Sequence, residues 1–279
     1  MNQEIHFVSG KGGVGKSTIA AALALKLAQE GKKTVLIELG EQSYFETYFK
    51  LKTKVGFEPV SIAKNLDLAL FTGTYCLKEY ALSLLKVESL YRLFFENPIS
   101  KTLIHVAPAL KELAILGKIT SYIRQHGPPL AYEAVVIDAF ATGHFITLVS
   151  AQAAMAKAVS FGPMGEQSRG IDAVLRDEKI CKYLLVTLPE ELPIKETEEL
   201  KSEIQKHLAV QPMVILNKAF SPLFTKKIET EDDNLFYDFI KAKLKEETSF
   251  KWPAVPYVFQ SEPMQVLETI VPYLKKAGL

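Results

Sequence analysis

Short runs of β-branched and aliphatic residues alternate with longer helical patterns along the whole chain. Strands are predicted at 5–9, 34–39, 134–138, 183–188 and 213–217, with weaker candidates at 66–71 and 103–107. The strong runs, such as AVVID and MVILN, are apolar on both faces, as strands covered by helices on both sides must be. Helical patterns are predicted at 16–29, 77–95, 109–126, 163–177, 193–208, 232–247 and 263–276. This alternation points to an α/β class: three layers, with a mostly parallel sheet between helices.

The 279 residues fit two small domains or one large α/β domain. With no repeat and no low-complexity linker, the chain reads as a single domain over 1–279. Its mainly helical subregion, at about 72–130, is an elaboration on one sheet edge. Tyr75, Tyr80, Tyr91, Phe94 and Phe95 in that subregion either pack on the sheet or form an apolar surface for a partner. Thirty-three basic residues stand against 32 acidic ones, so net charge gives no push toward nucleic acid. No run of 18 apolar residues announces a membrane span, and the first residues do not read as a signal peptide. Cys76 and Cys181 form no CxxC or zinc spacing, which fits a reducing, cytoplasmic setting.

The chemistry concentrates at Gly10-Lys11-Gly12-Gly13-Val14-Gly15-Lys16-Ser17-Thr18, a full GxxxxGK[ST] match between a predicted strand and a predicted helix. Glycines let successive backbone amides turn inward on phosphate oxygens, and the helix that follows adds its free N-terminal amides. Lys16 is expected on the β- and γ-phosphates and Ser17 on Mg²⁺. Lys11 is either a solvated loop lysine or a second phosphate-seeking cation that reaches a partner's nucleotide.

The run Lys11–Ser17 resembles the deviant Walker A loop of the MinD, ParA and nitrogenase-iron-protein class of P-loop NTPases. Within that class, Asp138-Ala139-Phe140-Ala141-Thr142-Gly143-His144 is similar to the D-A-P-A-T-G-H segment of the ArsA-like branch, with Phe140 in place of proline. That branch contains arsenical pump-driving and tail-anchored-protein-targeting ATPases. The segments at 107–119, 162–176 and 185–198 are also similar to it, so the resemblance runs almost end to end.

The resemblance implies ATP or ADP as ligand with Mg²⁺, Asp138 as the carboxylate behind the metal, and Thr142, Gly143 and His144 as a second switch. It places Asn217 and Lys218 against the adenine and the 256–262 loop, beginning at Pro256, over base and ribose, although Tyr257 and Phe259 alternate as strand residues do. It implies a catalytic aspartate after the second strand, where this chain has Gly40; Glu38 and Glu41 are the carboxylates near enough to stand in. Without clustered cysteines, neither metalloid binding nor a zinc-bridged dimer is expected. The functional expectation is a homodimeric switch, or a heterodimer with a related ATPase, that hydrolyses ATP and acts on a protein client or a membrane-protein partner. Leu77, Tyr80, Leu84, Leu85, Leu90 and Phe94 would contribute to its client face. The alternative is a nucleotide-binding regulatory or structural subunit with little hydrolysis of its own.

Overall fold

A computed structural model describes residues 3–85, 109–158, 163–223 and 235–279. Eight strands form one sheet: β1 (Glu4–Gly10), β2 (Thr34–Leu39), β3 (Val60–Ala63), β4 (Leu66–Phe71), β5 (Ala134–Asp138), β6 (Cys181–Thr187), β7 (Met213–Ala219) and β8 (Ala254–Pro256). Their order is β3-β4-β2-β5-β1-β6-β7-β8, and all neighbours pair in parallel except the edge hairpin β3–β4. The helices are α1 (Lys16–Gln29), α2 (Tyr44–Tyr48), α3 (Gly73–Leu85), α4 (Ala109–Ile119), α5 (Ser121–Arg124), α6 (Thr142–Ala158), α7 (Pro163–Arg176), α8 (Glu191–Leu208), α9 (Leu235–Ser249) and α10 (Pro263–Lys276).

Alternating residues of each central strand enter two separate cores, so the strands carry no polar face. Ile5, Phe7, Val35, Ile37, Val135 and Ile137 face one layer, where the Phe7 ring stacks on Tyr183 at 5.4 Å. Val8, Leu36, Val136, Leu184 and Val186 face the other, against α1 and α10. Helix α10 presents Leu267, Ile270, Val271 and Leu274, an i, i+3, i+4, i+7 stripe, each side chain contributing about 1.5–3 kcal/mol on burial.

Five features differ from the sequence expectation: one split helix, one long helix and three short elements. The pattern at 109–126 forms two helices, not one, because the chain breaks at Thr120, whose hydroxyl donates back to the Leu116 carbonyl at 2.7 Å. Helix α6 was not anticipated. It packs against α4, α7 and α8 as well as β1, so Phe145, Leu148, Val149 and Ala151 are buried around it and no polar stripe reports its period. Strands β3 and β8 and the five-residue α2 are too short to carry a period at all. The strand expected at 103–107, the distal part of the 77–95 helix, and Tyr91, Phe94, Phe95 and Leu90 lie outside the described residues. Among the described residues, no helix is long and apolar enough to cross a membrane.

Candidate functional site

The glycine-rich loop leaves β1 and enters α1 at the C-terminal edge of the sheet, where open parallel sheets present their ligand crevices. Two of its glycines are forced. Gly10 has φ +147°, and a Cβ there would run into the Val186 carbonyl of β6. Gly15, at φ +90°, lies immediately before α1, and a Cβ there would strike the Asn217 amide nitrogen. That nitrogen donates to the Val14 carbonyl at 2.8 Å, tying the end of β7 to the loop. One Asn217 donor is therefore held by the loop, a use that differs from the expected contact to adenine. Lys218 follows in the left-handed region (φ 55°), where the β7–β8 register shifts, and its side chain is exposed at the cleft.

The cleft has a volume of about 370 Å³. Gly13, Gly15, Lys16, Ser17, Thr18 and Tyr44 line one end, together with Asn217, which sits against Gly15; Lys218, Pro256, Tyr257 and Val258 line the other. One end thus offers amides, hydroxyls and an ammonium, and the other offers apolar and aromatic surface with a few polar edges. A larger cleft, about 790 Å³, opens among Gln3, Tyr122, Asp177 and Lys179 at the opposite ends of the strands and has no such loop.

Electrostatics at the polar end are set by burial. Strand register places Asp138 beside both Val8 and Glu38. Asp138 is 7% exposed. Burial pushes its carboxyl up to about 6, against the opposing hydrogen bond from Ser17 and the attraction of Lys16, with Glu38 adding to the rise. Burial pushes the Lys16 ammonium down, opposed by Asp138, and Lys16 Nζ donates to the Lys11 carbonyl at 3.0 Å. Asp138 Oδ1 is buried without a hydrogen-bond partner. An orphaned carboxylate oxygen beside a serine hydroxyl is a hard donor set that fits Mg²⁺, an ion that takes one or two protein oxygens and completes its shell with water and phosphate. Among the described residues, no group of three or more His, Cys, Asp or Glu is placed to hold a metal by itself.

The other expected residues do not line the cleft with a free functional group, except Lys218 and those already named. Both Glu38 oxygens are engaged, Oε2 by the Ser43 hydroxyl and Oε1 by the Tyr44 amide, each at 2.6 Å. Glu41 is exposed and lines a separate groove with Val55, Phe57, Tyr75 and Glu79. Lys11 Nζ is paired with Glu196 Oε1 of α8 at 2.7 Å. Gly12 is exposed, and Val14 is buried beneath the loop. His144 is exposed near the start of α6, with its ring edge-on to Phe140 at 5.9 Å. Cys76 and Cys181 are both buried, which pushes their thiols up, Cys76 to about 12. Leu77 packs against the core and Tyr80 is half-buried, while Tyr75 is 57% exposed. The side chains of Leu84 and Leu85 lie outside the described set.

Sequence reasoning missed Tyr44 and Glu196. The signal for Tyr44 was the S-x-x-E spacing of Ser43–Glu46, a helix-start pattern, and the Ser43 hydroxyl does accept from the Glu46 amide at 3.1 Å. Nothing local marks Glu196, which meets Lys11 only through the fold.

Residues 3–162 match the family described as anion-transporting ATPases, and the match contains the loop, β2 and Asp138. The chain belongs to this family. It is 30% identical over 227 residues to the ATPase BagA of Mycobacterium tuberculosis, covering 77% of this chain and 64% of that one. It is 26% identical over 259 residues to a putative arsenical pump-driving ATPase of Halobacterium salinarum, covering 86% and 38%. It is 22% identical over 252 residues to the ATPase ASNA1 homolog 2 of Paramecium tetraurelia, covering 77% and 76%. The chain thus spans less than two thirds of the mycobacterial relative's length. The α/β sheet with added helices is the fold expected from the sequence.

Proposed function

We propose that the protein binds Mg²⁺-ATP in the cleft at the C-terminal ends of β1, β5 and β7, hydrolyses it, and uses the cycle to control the association of two copies that act on a protein client. The observation that carries this reading is the buried Asp138, with an orphaned oxygen, directly behind a complete phosphate loop. The loop amides and Lys16 would hold the phosphates, Ser17 and Asp138 would hold the metal, and the metal would supply charge neutralisation between phosphate oxygens. The aromatic end, with Pro256, Tyr257 and Lys218, would take the base.

Dimerisation enters through Lys11. A lysine inside the loop has no phosphate of its own to serve, because Lys16 already occupies that role. In this structure it rests on Glu196. A second copy carrying nucleotide would offer it a more strongly charged acceptor. Light scattering of the full chain tests this part: Mg²⁺-ATP should convert monomer to dimer, and Lys11→Ala should abolish the conversion while leaving nucleotide binding in place. A mass unchanged by ATP would rule out the switch.

One observation favours a second reading, nucleotide binding without useful turnover. Gly40 has no side chain, and Glu38 is committed to Ser43 and Tyr44. Misplaced water is costly in phosphoryl transfer, where positioning supplies most of the catalysis. Phosphate release that depends on Lys16 eliminates this reading.

A further inference from the structure

The strand-to-helix segment after β2 does present one functional group to the phosphate end of the cleft, and it is not a carboxylate. The two hydrogen bonds of Glu38 fix both Ser43 and the backbone of Tyr44. With the segment held this way, Glu41 lines the groove of Phe57 and Tyr75, whereas Tyr44 lines the nucleotide cleft that Lys16, Ser17 and Thr18 also line.

We infer that Tyr44 is a ligand residue for the terminal phosphate, its hydroxyl donating to the γ-phosphoryl group in place of the missing acidic side chain at position 40. This rests on the proposal that the cleft binds Mg²⁺-ATP.

The geometry makes the ring a positioned group. It stacks on Tyr48 at 5.4 Å with an interplanar angle of 24°, and meets Phe45 edge-on at 5.4 Å. The Tyr48 hydroxyl lies near the Thr18 side chain at the start of α1, which opposes the rise that burial imposes on its phenol. The aromatic pair therefore links the segment to the phosphate loop itself. Tyr44 is 48% exposed, so it can meet a ligand that enters the cleft. A phenol is a donor at neutral pH; burial pushes this one further up, and the Asp138 and Glu38 charges add to the effect. A neutral donor offers a negatively charged phosphoryl group no repulsion, as a carboxylate would. A phenol is also a poor proton acceptor, so the arrangement is suited to sensing the terminal phosphate more than to activating water.

The test compares equilibrium binding of Mg²⁺-ADP and of a non-hydrolysable Mg²⁺-ATP analogue to wild type, Tyr44→Phe and Glu41→Gln. Phenylalanine keeps the stack on Tyr48, so the fold and the ADP affinity should be unchanged. Loss of one charge-assisted hydrogen bond should reduce the preference for the triphosphate on the order of 10-fold. Glu41→Gln should leave that preference as in wild type. An unaltered triphosphate preference in Tyr44→Phe, or its loss in Glu41→Gln, overturns the assignment while leaving nucleotide binding intact. If wild type binds neither nucleotide, the underlying reading fails and the assignment fails with it. The readout needs no turnover, so slow hydrolysis does not obscure it.

Discussion

Replacing Asp138 with asparagine should make the nucleotide-free protein more stable at alkaline pH. The wild-type carboxyl, 7% exposed between β1 and β2, is raised by burial to about 6 from an ordinary 3.8. Two pKa units at 1.36 kcal/mol each correspond to about 3 kcal/mol. The sign follows from proton uptake. The folded state binds this proton more tightly than the unfolded chain does, so the carboxyl's contribution is fully present below pH 4 and is lost as pH rises through 6. Above that, wild type holds a buried charge that asparagine does not have. Asparagine still buries an amide and forfeits the attraction to Lys16, so the expected gain at pH 8 is on the order of 1–3 kcal/mol. At roughly 2–4 °C per kcal/mol, Tm should rise by several degrees. The assay is thermal or urea unfolding of both proteins from pH 4 to 8 without nucleotide or divalent cation. The difference should grow with pH, centred between 4 and 6. A difference that is flat with pH, or that favours wild type at pH 8, would refute the reasoning.

The loop's dependence on β7 should appear as coupling between two positions. Gly15→Ala imposes an unfavourable φ of +90° and displaces the Asn217 amide from the Val14 carbonyl, an expected cost of about 2–5 kcal/mol. Adding Asn217→Ala removes the obstacle, so a double-mutant cycle by urea unfolding should give a coupling of at least 1 kcal/mol, and strict additivity would contradict the contact. Glu196→Gln should hardly alter Tm, because the pair with Lys11 is more than a third exposed and such pairs contribute about 0–1 kcal/mol. It should favour ATP-dependent dimerisation a few-fold by freeing Lys11, and weaker association in light scattering would show that Glu196 helps to present the lysine instead.

What the sequence revealed depended on how local each feature is. The β1–loop–α1 unit and Asp138 at the end of β5 were legible because a glycine pattern, a lysine and an apolar strand carry their meaning within a few residues. Helix α6 was obscured because neighbours cover it on several sides, so its apolar residues follow no single stripe. The committed oxygens of Glu38, the turning of Glu41 away from the cleft and the pairing of Lys11 with Glu196 are products of tertiary contact. The same is true of Asn217, whose amide meets a carbonyl 203 positions earlier in the chain. Sheet order is the extreme case, since β1 lies between β5 and β6 and both partners follow it by more than a hundred residues.

Steady-state phosphate release from Mg²⁺-ATP, measured for the full chain and for Lys16→Ala, tests the account most directly. Lys16 is the one ammonium that the loop carries into the phosphate end of the cleft, beside Ser17 and Asp138. The account predicts slow but measurable turnover in wild type that requires Mg²⁺ and falls at least 100-fold in Lys16→Ala. Equal release from both proteins, or no release from wild type saturated with nucleotide, would contradict an ATPase working through this site.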